Sequence, residues 1–306
     1  MIVDCFTHTW ESADQLGRCI PSSGGRGAES AEGGIVARAG AGRHVAAAEP
    51  IGTTLVLGFR SRYLDANITN DHVASYVETR SDRMIGFAGV DPSEPKEAIA
   101  ELHRAREELG LLGIAVAPAA QDFHPSDSQA MQVYAESARL KMPVVFHSGV
   151  FISTATKLEY ARPVLLDEIA RELPELKLVI AHLGYPWVSE TLVLLAKHKN
   201  VFAETSWLLQ QPWKAYQALL SAAECGVMHK LLFGSGFPHA AASHCIEALY
   251  SINHLVHGTN LPTIPREALR GIVERDALAL LGIPGRGARP QLQASPAIPE
   301  NDPTTT

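Results

Sequence analysis

The sequence predicts an α/β fold: a (β/α)8 TIM barrel in a single domain, with a long insertion after strand one. Three observations lead there. Short apolar runs alternate with amphipathic helical stretches from Met1 to about Ile283, the strands number eight, and no Gly-rich phosphate turn follows the first strand. An open doubly wound sheet would need fewer strands and that turn.

The clearest repeat unit runs from Pro143 to Gly184. Pro143-Val144-Val145-Phe146 ends in His147-Ser148-Gly149, and Leu178-Val179-Ile180-Ala181 ends in His182-Leu183-Gly184. Between them, Leu158, Ala161, Leu165, Ile169 and Leu173 recur at helical spacing, which predicts one helix from Leu158 to Leu173. Strand, helix, strand is one βαβ unit of a parallel sheet.

Taken in order, strand one is Met1 to Phe6, running into Thr7-His8-Thr9-Trp10. Residues 11–50 are rich in Gly, Ser and Ala and predict a loop, either a lid over the barrel mouth or disordered chain. Strand two covers Thr53 to Phe59, and a helix follows from Asn70, read as its N-cap, to Arg80. Met84 to Val90 and Gly113 to Ala117 are strands three and four, each followed by a helix, at Glu94–Leu109 and Ser126–Leu140. After the unit above, Trp187–His198 is a helix, Val201–Glu204 is strand seven, and Pro212–Cys225 is a helix whose proline suits a first turn. Lys230–Gly234 is strand eight, and helices at Ala240–Leu255 and Pro265–Leu281 finish the fold. Residues 284–306, rich in Pro, Ala and Thr, predict a disordered tail.

Composition narrows the function. A net charge of −7 without a dense Lys/Arg cluster argues against nucleic acid, so a small molecule is the expected partner. No apolar run approaches membrane-spanning length, and the chain opens on a strand without a basic flank. Cys5, Cys19, Cys225 and Cys245 have no paired spacing, which fits reduced thiols in the cytoplasm.

In a parallel barrel the chemistry sits at the C-terminal strand ends. Collected there are His8, His147, His182, Glu204 and the run Gly234-Ser235-Gly236-Phe237-Pro238-His239. Imidazoles converging from several strands can hold Zn²⁺ with a position open for water. Trp10, Trp187, Trp207 and Phe237 also lie near strand ends and are candidates, with His239, for lining a substrate pocket. The other nine histidines, His44 among them, read as solvated side chains.

These motifs resemble the amidohydrolase-related (amidohydrolase 2) branch of the amidohydrolase superfamily, which holds aminocarboxymuconate semialdehyde decarboxylase-like enzymes, benzoate decarboxylases and dicarboxylate lactonases. The resemblance rests on the Ile-Val-Asp start, Gly89-Val90-Asp91-Pro92, Pro143 to Gly149, Ala181 to Gly184, Val201 to Ser206, Leu232 to Ser235 with Phe237-Pro238-His239, and Ile264 to Leu269. It implies that His8 and His147 are metal ligands and that His182 is a catalytic or ligand histidine; in an enzyme, His182 is expected to be the proton shuttle, with His8 and His147 holding a metal or the substrate carboxylate. Two ligand positions depart from the family pattern. Phe6 stands where Asp-x-His-x-His has its first histidine, and Gly236 stands where Gly-Ser-Asp-x-Pro has its aspartate. Ala115 replaces a frequent basic substrate anchor.

The residues leave three readings open. One is a reduced site, with one weakly held Zn²⁺ or other divalent ion on the three histidines and Glu204 or His239 as base. The second is metal-free chemistry, as in some lactonase relatives, with His182 and His147 as acid and base. The third is a non-catalytic binding or partner protein. For an enzyme, the resemblance implies hydrolysis or decarboxylation of a small carboxylated or cyclic substrate and a homodimer by analogy, and the residues expected to be catalytic are His182 and, in place of the missing base, Glu204.

Overall fold

The computed structural model describes residues 1–19, 39–148 and 154–284. The strands in chain order are β1 Val3–Thr7, β2 Thr53–Leu57, β3 Phe59–Ser61, β4 Ala66–Ile68, β5 Met84–Gly89, β6 Ile114–Val116, β7 Val144–Phe146, β8 Leu178–Ile180, β9 Val201–Glu204 and β10 Leu231–Leu232. Eight of them form one parallel sheet in the order β1-β2-β5-β6-β7-β8-β9-β10. The chain beyond β10 then returns to β1. Cys5 N–H donates to Phe233 O at 2.9 Å, Gly236 N–H to Phe6 O at 3.0 Å and His8 N–H to Phe237 O at 3.0 Å, which closes the barrel.

Alternation along the strands sorts their side chains into two apolar layers. Leu55, Leu57, Ile85, Phe87, Val145, Val179, Phe202 and Leu232 belong to an inner cluster, where helix Ala277–Leu281 also packs. Val56, Val116, Val144, Phe146, Leu178, Ile180, Val201 and Ala203 belong to a larger cluster shared with the surrounding helices. Each Val, Leu, Ile or Phe side chain buried in this way contributes about 1.5–3 kcal/mol before entropy is subtracted. The strands are apolar on both faces because both faces are covered.

Several expectations are corrected. The helix expected from Leu158 to Leu173 is two 3₁₀ turns, Leu158–Ala161 and Pro163–Leu166, followed by a short helix Asp167–Glu172. Pro163 has no N–H to give and holds Arg162 extended, so the helical pattern cannot propagate through it. Thr69, not Asn70, caps helix Asn70–Glu78, accepting from His72 N–H at 3.2 Å. The β3–β4 hairpin is antiparallel and lies outside the barrel count.

The expected loop 11–50 contains a 3₁₀ segment at Ala13–Cys19 and an α-helix at Ala41–Ala47. Its central part, residues 20–38, and the expected disordered tail from 285 onward lie outside the described residues. His44 is not solvated: it is fully buried, and its Nδ1 lies 2.7 Å from Tyr76 Oη. No described helix is long and apolar enough to cross a membrane.

Candidate active site

His8, His147 and His182 follow β1, β7 and β8, and the barrel brings their rings around one side chain, Phe6. Its ring centroid lies 5.1 Å from His8, 5.6 Å from His147 and 4.8 Å from His182. The His147 and His182 rings meet edge to face at 4.7 Å, with their Nε2 atoms 3.1 Å apart. His8 stands apart from this pair. Its Nδ1 lies 2.9 Å from Leu57 O, an acceptor, so Nδ1 carries the hydrogen.

His182 is placed by an unusual turn. His182, Leu183 and Gly184 all have left-handed backbones, with φ of 55°, 50° and 67°. A non-glycine residue there costs about 1–2 kcal/mol, and two in succession point to a position the fold enforces. Gly184 has no alternative, because a Cβ there would lie 2.0 Å from Thr191 Oγ1. The turn is anchored by Glu204 at the end of β9, whose Oε1 accepts from the His182 peptide N–H at 2.7 Å.

Glu204 is fully buried, and its carboxylate is surrounded by donors. Oε2 accepts from Ser206 N–H at 2.6 Å, and Oε1 accepts from Ser206 Oγ at 2.8 Å. Ser206 Oγ lies 2.7 Å from His182 Nδ1. A continuous line therefore runs Glu204, Ser206, His182, His147. Gly234 makes room for it, since a Cβ at 234 would lie 2.1 Å from Glu204 Oε2.

Burial sets the electrostatics. It pushes the Glu204 carboxyl up to about 7 against its donated hydrogen bonds, and nearby Asp4 adds to the rise. It lowers His182 to about 3 and His8 to about 4, and it lowers His147 well below the ordinary range, with repulsion from His182 and His8 adding to the last. Near neutral pH the three imidazoles are uncharged.

The donor set does not fit the metal centre that the resemblance implies. Phe6 fills the space between the histidines and offers no lone pair, and Gly236 offers no side chain. Among the described residues, no group of three or more His, Cys, Asp or Glu side chains is arranged to hold an ion. The Glu204 oxygens are occupied by Ser206 and the His182 peptide.

The remaining expected site residues disperse. Trp207 packs against Tyr185 with the ring centroids 4.9 Å apart and the planes tilted by 41°, and Lys214 Nζ lies 5.4 Å from its ring. Phe237 packs on His44 at 4.8 Å, and Trp10 is buried in the layer between barrel and helices. Trp187 starts helix Val188–Lys197. His239 is exposed at the rim, close enough to His8, His147 and His182 to disfavour their protonation. Ser206 was missed by the sequence reading. The signal available was its spacing: on an extended chain, 204 and 206 share a side.

The amidohydrolase family model (Amidohydro_2) matches residues 3–283. No curated protein matches the chain. Solved structures do. An uncharacterised TIM-barrel protein from Bordetella bronchiseptica is 20% identical over 92% of this chain and 99% of its own, with a TM-score of 0.65. A dihydroxybenzoic acid decarboxylase from Polaromonas sp. JS666, with bound manganese and 2-nitroresorcinol, is 16% identical over 92% and 96%, with a TM-score of 0.67. A probable 2-pyrone-4,6-dicarboxylic acid hydrolase from Acinetobacter baumannii, with citric acid bound, is 16% identical over 92% and 99%, with a TM-score of 0.62. With a family match over nearly all its length and a barrel of the same kind, the chain belongs to the amidohydrolase family.

Proposed function

We propose that the protein is an acid–base enzyme of the amidohydrolase family that hydrolyses a small, carboxylated cyclic ester, with His182 as the base and without a bound metal ion. The observation that carries this is the His147–His182 pair, 3.1 Å between Nε2 atoms and backed through Ser206 by the buried Glu204. A neutral imidazole held by an orienting partner is the ordinary form of a general base. In the reaction, the incoming water takes the place of His147 at His182 Nε2 and loses a proton to that nitrogen as its oxygen bonds to the ester carbonyl carbon. The ring C–O bond then breaks, and the leaving oxygen takes a proton from the imidazole pair. That transfer returns the pair to its resting protonation, and Glu204 serves to hold the line behind His182.

The donor set favours this route over the metal-assisted one. Decarboxylation of a hydroxylated aromatic acid is the second reading, supported by the likeness to the Polaromonas enzyme. In it, His182 delivers a proton to the ring carbon that loses carbon dioxide. The test is a two-substrate assay in chelator-treated buffer, following ring opening of 2-pyrone-4,6-dicarboxylate and carbon dioxide release from 2,6-dihydroxybenzoate. Ring opening that survives chelation and is lost in His182→Asn supports the first reading. Carbon dioxide release alone selects the second. Binding without turnover of either compound leaves a non-catalytic binding protein.

A further inference from the structure

The hydrogen bonds behind His182 have a direction, because one end of the line can only accept. Ionised Glu204 has no hydrogen to give, and three donors converge on it, the peptide N–H groups of His182 and Ser206 and the Ser206 hydroxyl. With its hydrogen committed to Glu204 Oε1, Ser206 Oγ has only lone pairs left for His182 Nδ1, 2.7 Å away. His182 must then carry its hydrogen on Nδ1 and a lone pair on Nε2. His147 Nε2, 3.1 Å from that lone pair, has to be the donor.

We propose that Ser206 is a positioning residue that selects the tautomer of His182, fixing Nδ1–H on His182 and Nε2–H on His147, so that the two facing nitrogens share a single hydrogen. The two rings are thereby held in opposite tautomers. The serine does for His182 what a directly bonded carboxylate does for the histidine of a hydrolase triad, with the hydroxyl transmitting the acceptor's demand. A direct bond is out of reach, since His182 Nδ1 lies 3.5 Å from Glu204 Oε1. The resting base is neutral, the form burial favours. This inference deepens the reading of His182 as the base and rests on it for its catalytic meaning.

The test is nitrogen NMR of protein carrying ¹⁵N-labelled histidine, at pH 8.5, where Glu204 is ionised. The His182 signals are identified by their disappearance in His182→Asn. The expected result is a protonated-type Nδ1 and an unprotonated-type Nε2 for His182, with the reverse for His147. Ser206→Ala removes this preference and gives averaged signals, and Ser206→Thr, which keeps the hydroxyl, restores it. Glu204→Gln, which replaces the obligate acceptor, serves as a second route should Ser206→Ala fail to fold, and it too loses the preference. A wild-type His182 protonated at Nε2, or an unchanged tautomer in the folded Ser206→Ala and Glu204→Gln variants, overturns the assignment.

On whichever substrate the protein turns over, Ser206→Ala lowers kcat about 10- to 100-fold with KM within about twofold, as expected for a group that acts through the base. Unchanged kcat in a variant whose tautomer has become mixed overturns the positioning role. If neither substrate is turned over, the functional reading falls while the tautomer assignment still stands or falls on the NMR.

Discussion

Two arcs of one barrel rim differ in what they present. Along the seam where β1 meets the chain after β10 stand Phe6 and Gly236, neither with a donor in its side chain, and Phe6 packs on all three imidazoles. Along the arc from β7 to β9, polar groups remain and are connected end to end from His147 to Glu204. Side chains that held an ion together would have needed both arcs. A proton-transfer line needs only one, provided each buried polar atom in it finds a partner. The apolar seam then helps the polar arc, because the Phe6 ring helps keep water from the imidazoles and so keeps them neutral.

The largest expected effect separates the arcs directly. His182→Asn lowers kcat about 10²- to 10⁴-fold, the usual worth of a general base. His8→Asn, on the seam, costs at least tenfold less of that activity, since His8 Nδ1 is committed to Leu57 O and lies outside the line. Steady-state kinetics of the two variants makes the comparison. Equal losses would return His8 to the chemistry and dissolve the distinction.

A smaller effect appears in the pH dependence of stability. Glu204 is raised from 4.5 to about 7 in the folded protein, so folding holds its proton more tightly than the unfolded chain does. Its contribution is fully present below about pH 4.5 and is lost as pH rises through about 7, on the order of 3 kcal/mol in all. Asp4, raised to about 6, acts in the same sense, at the foot of the seam. His182 and His8 oppose them. Lowered to about 3 and about 4, they contribute stability that is present above pH 6.5 and lost as pH falls. Chemical denaturation between pH 4.5 and 7.5 should therefore give a shallow optimum, and Glu204→Gln should remove the decline on its alkaline side. A decline that persists in Glu204→Gln would place the responsible carboxyl elsewhere.

Much of this was legible in the residues. The eight strands announced themselves as apolar runs, because a parallel sheet covered on both faces admits little else. His8, His147 and His182 could be placed at the rim by counting strands. What the strand count cannot convey is direction and distance within a turn. The left-handed backbone at Leu183 has no sequence mark, and that at His182 only a faint one, since histidine adopts it more often than most residues without being marked by it. Ser206 reads as an ordinary serine until the turn after β8 brings His182 Nδ1 to it. His44 lies in a Gly- and Ala-rich stretch and yet is buried, because burial against Phe237 is a tertiary fact. The helix at 158–173 failed for a local reason that was readable, since Pro163 stands inside the pattern.

The seam offers the smallest and sharpest test, because Gly236 is constrained in backbone as well as bare of a side chain. Its φ is +74°, and a Cβ would lie 3.1 Å from Ser206 Cβ. Gly236→Ala should thus cost about 1–2 kcal/mol from the left-handed backbone alone, read as a lowered denaturation midpoint. Gly236→Asp pays the same cost and gains nothing while Phe6 fills the neighbouring space. Adding Phe6→His supplies the second missing donor beside His8 and His147. The double variant should take up zinc in an amount that metal analysis registers and His147→Ala abolishes, whereas the native chain holds well under one equivalent. Stoichiometric zinc in the native protein would mean that the polar arc by itself still binds the ion, and the two arcs would then differ in degree only.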